Sequence, residues 1–466
     1  MVISFITSLT APVLRCALKV EHFLTGKFIV QKIGRYYCFA PVKILNKEVP
    51  TIMKLDTPEF KSIFTPELQV LGDLFQKHGF ELRIAGGAVR DLLMNKTPHD
   101  LDFATTATPN EMKEMFTEEN IRMINMQGEK HGTITPRIND KENFEVTTLR
   151  IDVLTDGRHA EVEFTTDWQL DANRRDLTIN SMFLGLDGTV YDYFSGYDDL
   201  LNKKVVFVGD PNTRIQEDYL RILRYFRFYG RIAKDPNSHD AKTLEAIKNN
   251  AEGLQRISGE RIWSELRKIL EGNFAESLLK IMLELHIGPF IGLPENPNIE
   301  ELTKVCSRKL EGLRGISVIS ALLKKPEEVM TFHARCKLSA FERDLALFLV
   351  EHREDKISDI AVRPYQRIVV SSKMKTSDIF EFVLEVLRYR GDQLLLEEFS
   401  EWKVPRFPVT GNQLKERGVP SGKTLGLVLQ QLKEYWIEKD FTPTVEELLL
   451  QLPEVLSRLG IDVKTK

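Results

Sequence analysis

The chain is short of cysteine, has no long apolar run, and carries almost no excess of either charge. Its four cysteines, Cys16, Cys38, Cys306 and Cys336 among 466 residues, match no zinc-ligand spacing and are too few for a disulfide framework. A reducing compartment suits such a chain. No stretch is apolar over the roughly 20 residues a bilayer-spanning helix needs, so no membrane is expected as a partner. With 64 basic residues against 68 acidic ones, a global positive field is excluded. A nucleic-acid partner would have to be met by local basic patches.

What is present is length and apolar content enough for three or four modules. Residues 1–52 stand apart: Arg15, Lys19, Lys27, Lys32, Arg35, Lys43 and Lys47 face only Glu21 and Glu48. Basic, acid-poor and amphipathic, this segment reads as a mitochondrial transit peptide or a disordered basic leader. A second translation start at Met53 would give a form for the cytoplasm or nucleus.

Beyond the leader, a helical pattern of Leu68, Leu71, Leu74 and Phe75 follows Thr65-Pro66, and Thr108-Pro109 opens a second helix. Strand-like runs cover 80–85, 121–125, 132–138, 144–152 and 160–165, so helices on a mixed sheet are expected. After Asp199 strand signals fade. Amphipathic helices are expected over 215–229, 260–270, 277–285, 341–351 and 424–436, with proline-rich joints at 292–297 and 404–408.

Three constellations carry chemistry. In the first, a strand ends at the pair Gly86-Gly87, a helix begins with Arg90, and Asp100 and Asp102 follow. Free N–H groups at a glycine turn and a helix N-terminus seat phosphates. Aspartates two apart on one strand share a face and can hold Mg²⁺ against a triphosphate. Glu145 becomes a third carboxylate if its strand neighbours theirs; otherwise it is an ordinary exposed glutamate. The second, Arg174-Arg-Asp-Leu-Thr-Ile-Asn180, would set Arg175, Asp176 and Asn180 together on a helix to grip ribose and triphosphate.

The third is an expected helix from Arg214 to Arg231 containing Glu217-Asp-Tyr-Leu-Arg221. On it Asp218 and Arg221 are neighbours, an acceptor beside a donor. That pair complements an amino group beside a bare ring nitrogen, the edge of cytosine and adenine but not of guanine or uracil, with each good bidentate pair worth about 1–3 kcal/mol. Arg224 and Arg227 continue the face toward phosphates or a primer strand. An ordinary charged face pairing Glu217 with Arg221 is the plainer reading of the same residues.

Together, Gly86-Gly-Ala-Val-Arg-Asp91 with Asp100-Leu-Asp102, the Arg174–Asn180 run and Glu217-Asp-Tyr-Leu-Arg221 resemble the class II tRNA nucleotidyltransferases, the CCA-adding enzymes, over residues 53–466. The resemblance implies an α+β chain: a polymerase-β-like nucleotidyltransferase head at 53–194, a helical neck at 195–273, a body at 274–403 and a tail at 404–466. It implies Asp100 and Asp102 as Mg²⁺ ligands, Glu145 as the third catalytic carboxylate, and Gly87, Arg90, Arg175, Asp218, Arg221, Arg224 and Arg227 as nucleotide contacts, to which the glycine turn and the second constellation add Gly86, Asp176 and Asn180. Asp156–Phe164 matches the family's mobile element. Implied substrates are CTP, ATP and tRNA; a monomer or a homodimer is compatible. The rivals are a poly(A) polymerase sharing the head motifs and an RNA-binding protein with an inactive head, against which the intact carboxylates argue. A sugar transferase gives the Glu217–Arg227 segment no role, and a metal phosphohydrolase lacks partner histidines.

Overall fold

The computed structural model describes residues 28–33, 36–41, 50–124, 126–155, 160–308, 312–354 and 361–461. Most of the leader therefore lies outside the described residues. Two parts of it do not: Phe28–Ile33 (β1) and Tyr36–Pro41 (β2) pair antiparallel in a ladder of their own, which a disordered leader does not predict.

The head is a mixed nine-stranded sheet. Its strands are Thr51–Lys54 (β3), Leu82–Ala85 (β4), Asp102–Thr105 (β5), Arg122–Ile124 (β6), Thr133–Ile138 (β7), Glu142–Asn143 (β8), Glu145–Thr148 (β9), Phe183–Gly185 (β12) and Thr189–Asp192 (β13). The order is β3-β13-β12-β4-β5-β9-β7-β6, with β8 on β7. The sheet thus begins at Thr51, within the segment set aside as leader. Arg150–Thr155 (β10) and Ala160–Phe164 (β11) form a separate antiparallel pair. The single strand expected over 144–152 is therefore two strands in two sheets. At Leu149, fully buried, the chain leaves the main sheet between them.

Sequence signals explain the helices flanking the sheet. Pro66–Lys77 starts where the Thr65 hydroxyl accepts from the Leu68 N–H, and buries Leu68, Leu71, Leu74 and Phe75. Pro109–Glu118 is closed at its start by a reciprocal capping box of Thr108 and Glu111. From Gly196 onward the chain is helical, with no further strand among the described residues. One apolar core runs from Leu55 to Phe399. Residues from Val409 to Val455 pack round Leu414, Leu432 and Trp436 in a second core that also buries Val370, with Trp402, Val404 and Phe407 partly buried against it. Among the described residues no helix is long and apolar enough to cross a membrane.

Candidate active site

The sheet order brings the first constellation together. β4 runs into Gly86, whose φ of 68° and ψ of −125° lie where a side chain is strained, and the helix Gly87–Leu93 starts at once. β5 lies antiparallel to β4, so Asp102 opens its strand beside that turn. β9 lies parallel to β5 with Asp102 opposite Glu145. The strand adjacency that the Glu145 role requires is present.

Asp100 differs from expectation. The strand starts at Asp102, so Asp100 stands in the preceding bend, solvent-exposed, with its carboxylate 2.9 Å from Nδ1 of His99. Among the described residues no three His, Cys, Asp or Glu side chains are gathered closely enough to hold a metal. The carboxylates nevertheless sense one another. Asp102 is solvent-accessible, yet the surrounding protein strips part of its hydration. That desolvation, followed by the charges of Glu145 and Asp100, raises its pKa above the usual aspartate range. Asp102 and Glu145, opposite each other on adjacent strands, are hard oxygen donors of the kind Mg²⁺ takes, and Asp100 would join them by turning from His99.

The second constellation is not helical. The helix Trp168–Asn173 ends before Arg175, and Thr178–Asn180 is a single 3₁₀ turn. Tertiary contacts make the grouping instead. Arg90, almost fully buried, donates to Asn180 Oδ1 at 2.5 Å, and Arg175 donates to the Asn180 carbonyl at 3.3 Å. Burial alone would raise the Asp176 pKa, but the charge and hydrogen bond of Arg224 (Nε to Oδ2, 2.6 Å), with Arg221 beyond, bring it below normal.

The expected helix from Arg214 to Arg231 is broken. Pro211–Glu217 ends at Asp218, which is extended (φ −151°, ψ 106°), and a new helix runs over Arg221–Ile232. Asp218 and Arg221 are therefore not stacked on one helical turn, although the Arg221 N–H donates to the Asp218 carbonyl at 3.0 Å. Asp218 accepts from the Leu220 N–H at 3.1 Å and from Arg261 at 2.8 Å. Arg221 donates to Glu217 at 2.5 Å and to the carbonyls of Arg214 and Arg174 at 2.9 and 2.8 Å. Arg227 pairs with Glu265 at 2.9 Å. The plainer Glu217–Arg221 pairing is thus also present.

These segments line one cavity of about 950 Å³ where the sheet meets the helices. It is walled by Gly86, Gly87, Arg90, Asp102, Arg175, Asp176, Asn180, Asp218, Arg221, Arg224 and Arg227, eleven of the thirteen residues singled out in the sequence. Asp100 and Glu145 lie outside its lining. The wall holds ten basic side chains against four acidic ones, a charge balance suited to a polyphosphate. Sequence reading missed Lys96, Arg174, Arg231, Arg261, Lys268 and Asn273. Arg261, Lys268 and Asn273 come from the helix Gly259–Leu270 and the turn after it, whose amphipathic pattern is that of any packed helix. Residues 156–159 of the Asp156–Phe164 element lie outside the described residues.

Known proteins match over the same segments. The family model described as the poly A polymerase head domain matches residues 82–206. That described as a probable RNA and SrmB-binding site of polymerase A matches residues 240–295. A mitochondrial CCA tRNA nucleotidyltransferase 1 of Homo sapiens is 54% identical over 411 residues, 87% of this chain and 94% of that protein. The protein of the same name from Danio rerio is 54% identical over 407 residues, 86% of this chain and 94% of that one. Among solved structures, a Bacillus stearothermophilus CCA-adding enzyme in complex with CTP superposes with a TM-score of 0.69 at 24% identity, covering 87% of this chain and 99% of that one.

Proposed function

The chain belongs to the CCA tRNA nucleotidyltransferases, and we propose that it adds C, C and A to tRNA 3′ ends from CTP and ATP by two-metal phosphoryl transfer, with Asp218 and Arg221 choosing the base. The observation that carries this reading is the single cavity joining the glycine turn, Asp102 and the Asp218–Arg221 break, because phosphate seat, catalytic carboxylate and base edge must meet in one nucleotide. The mitochondrial names of the relatives support the leader as a targeting segment. Structures with ATP, CTP and tRNA among its neighbours support those three as its partners.

In this mechanism the chain positions and neutralises. The N–H groups at Gly86 and Gly87 and the arginine forks seat the triphosphate. Asp100, Asp102 and Glu145 would hold Mg²⁺, which when bound lowers the pKa of the primer 3′-OH and offsets charge on the leaving pyrophosphate. Asp218 accepts from the exocyclic amino group of cytosine or adenine while Arg221 donates to the ring nitrogen. For that, each must turn outward from Arg261 and Glu217 or share its remaining lone pairs and N–H groups.

The test is incorporation by the purified full chain on a tRNA transcript ending at the discriminator base, with each NTP alone and with CTP plus ATP, sequencing the 3′ ends. Two C and then one A, dependent on Mg²⁺, is the expected product. A long A tract would favour a poly(A) polymerase instead, the reading that the description of the matching head model favours. RNA binding without addition would leave an inactive head.

A further inference from the structure

Resting on the reading above, we propose that Asp171 is a positioning residue that sets the base-choosing arginine and the phosphate-gripping arginine from one buried carboxylate. Asp171 is 1% exposed and lies on the helix Trp168–Asn173, whose first turn is fixed by the Asp167 side chain. Its Oδ1 accepts from Arg174 Nε at 2.8 Å and from the Arg150 N–H at 3.2 Å. Its Oδ2 accepts from Arg175 Nε and Nη2 at 3.2 and 3.0 Å. Helical spacing makes this possible, since residues three and four further on stand over the same face even as the helix ends.

What the two arginines do next distinguishes this hub from an ordinary buried ion network. The Arg174 carbonyl accepts from Arg221 Nη2 at 2.8 Å, so the backbone that Asp171 anchors also anchors the base-choosing guanidinium. Arg175 lies over the ring of Phe183 at 4.9 Å and donates to the Asn180 carbonyl. Phe183 is paired with Ala85 in the sheet, immediately before the glycine turn. At Gly86 a Cβ would stand 3.4 Å from Arg175 Nη1, so this guanidinium lies against the phosphate seat. Arg174 and Arg175 both line the cavity; Asp171 does not. Burial disfavours its charge, yet the arginines on either side hold its pKa below normal, so it stays ionised. Buried ion networks add little stability over apolar packing of the same shape. What this one determines is where two guanidinium groups point.

Asp171→Asn keeps the shape and removes the charge and half of the acceptor capacity. The control is Glu385→Gln: Glu385 is also fully buried, accepts from Ser317, the Arg314 N–H and Arg388, and lies in the helical body away from the cavity. Both variants are compared with wild type well below their melting temperatures. Measured are NTP affinity by equilibrium binding, KM for CTP, ATP and tRNA, and exclusion of UTP and GTP. For Asp171→Asn we expect NTP affinity weakened and discrimination relaxed by about 10-fold, the low end for removing a supporting partner, with KM for tRNA unchanged. Glu385→Gln should lose stability and keep all of these readouts. If Asp171→Asn loses only stability, as its control does, the proposal is overturned. Should Asp171→Asn not fold, Arg174→Lys serves, keeping the charge and the carbonyl but not the fork; unchanged discrimination there overturns the proposal equally. Failure of wild type to add CCA would fall on the proposed function, while the NTP-binding arm would still decide the role of Asp171.

Discussion

Asp100 and Asp102 are separated by one residue but have different physical surroundings, and their substitutions should differ accordingly. Asp100 is exposed and, among the described residues, its carboxylate bonds only the exposed His99, so Asp100→Ala should melt with wild type. Asp102 has a raised pKa, from desolvation and then from Glu145 and Asp100. A carboxylate whose folded pKa is raised favours the protonated fold: ionised, it costs stability above that pKa, and the cost disappears as pH falls through it. Asp102→Asn should therefore melt at or above the wild-type temperature at pH 7. Both variants should lose at least about 100-fold in incorporation, as expected when charge stabilisation at a phosphoryl centre is removed. Calorimetry beside incorporation at saturating Mg²⁺ checks both; normal activity in Asp100→Ala would remove the metal assignment.

At the scale of elements, the break between Pro211–Glu217 and Arg221–Ile232 shows where sequence reading stopped. The segment Glu217-Asp-Tyr-Leu contains no glycine or proline, and apolar residues continue in phase on both sides, so periodicity reads straight through it. The break is held from outside, by Arg261 on Asp218 and by the Tyr219 ring against Gly253, where a Cβ would fall 1.9 Å from the ring. Neither partner adjoins the motif in sequence. The same holds for Arg175, Asp176 and Asn180, whose grouping was legible though the helix expected to cause it is absent. Local signals with a physical mechanism, such as the Thr65 and Thr108 caps and the glycine turn, read correctly; contacts between distant segments did not. Extended geometry at Asp218 frees its carboxylate from helical stacking beside Arg221 and lets the two be set independently. Arg221→Ala should consequently relax base choice by about 1–3 kcal/mol, or roughly 5- to 150-fold in kcat/KM for CTP against UTP. Single-nucleotide kinetics with all four NTPs decide it, and an unchanged ratio would end the templating role.

Over the whole molecule, the formal charge of −4 conceals a concentration of positive charge in one cavity, and most of that is already answered. Every arginine in the wall has a carboxylate partner: Arg90 and Arg231 on Asp91, Arg174 and Arg175 on Asp171, Arg221 on Glu217, Arg224 on Asp176, Arg227 on Glu265 and Arg261 on Asp218. Their spare N–H groups give direction more than net field. Among the described residues the wall lysines Lys96 and Lys268 have no such partner. Lys96 lies in the segment leading to Asp100. Lys268 follows Arg261 by seven residues on one helix, which places it on nearly the same face and about 10 Å further along. In the proposed reading, an ammonium there without a carboxylate partner would meet a phosphate of the primer strand. Lys268→Gln should raise KM for tRNA several-fold, leave KM for CTP and the melting temperature unchanged, and lower the slope of log affinity against log salt by about 1, the signature of a single lost phosphate contact. Titrating tRNA binding over a range of salt concentrations measures that slope directly. If it is unchanged, Lys268 does not meet RNA; if instead KM for CTP rises, its charge serves the nucleotide.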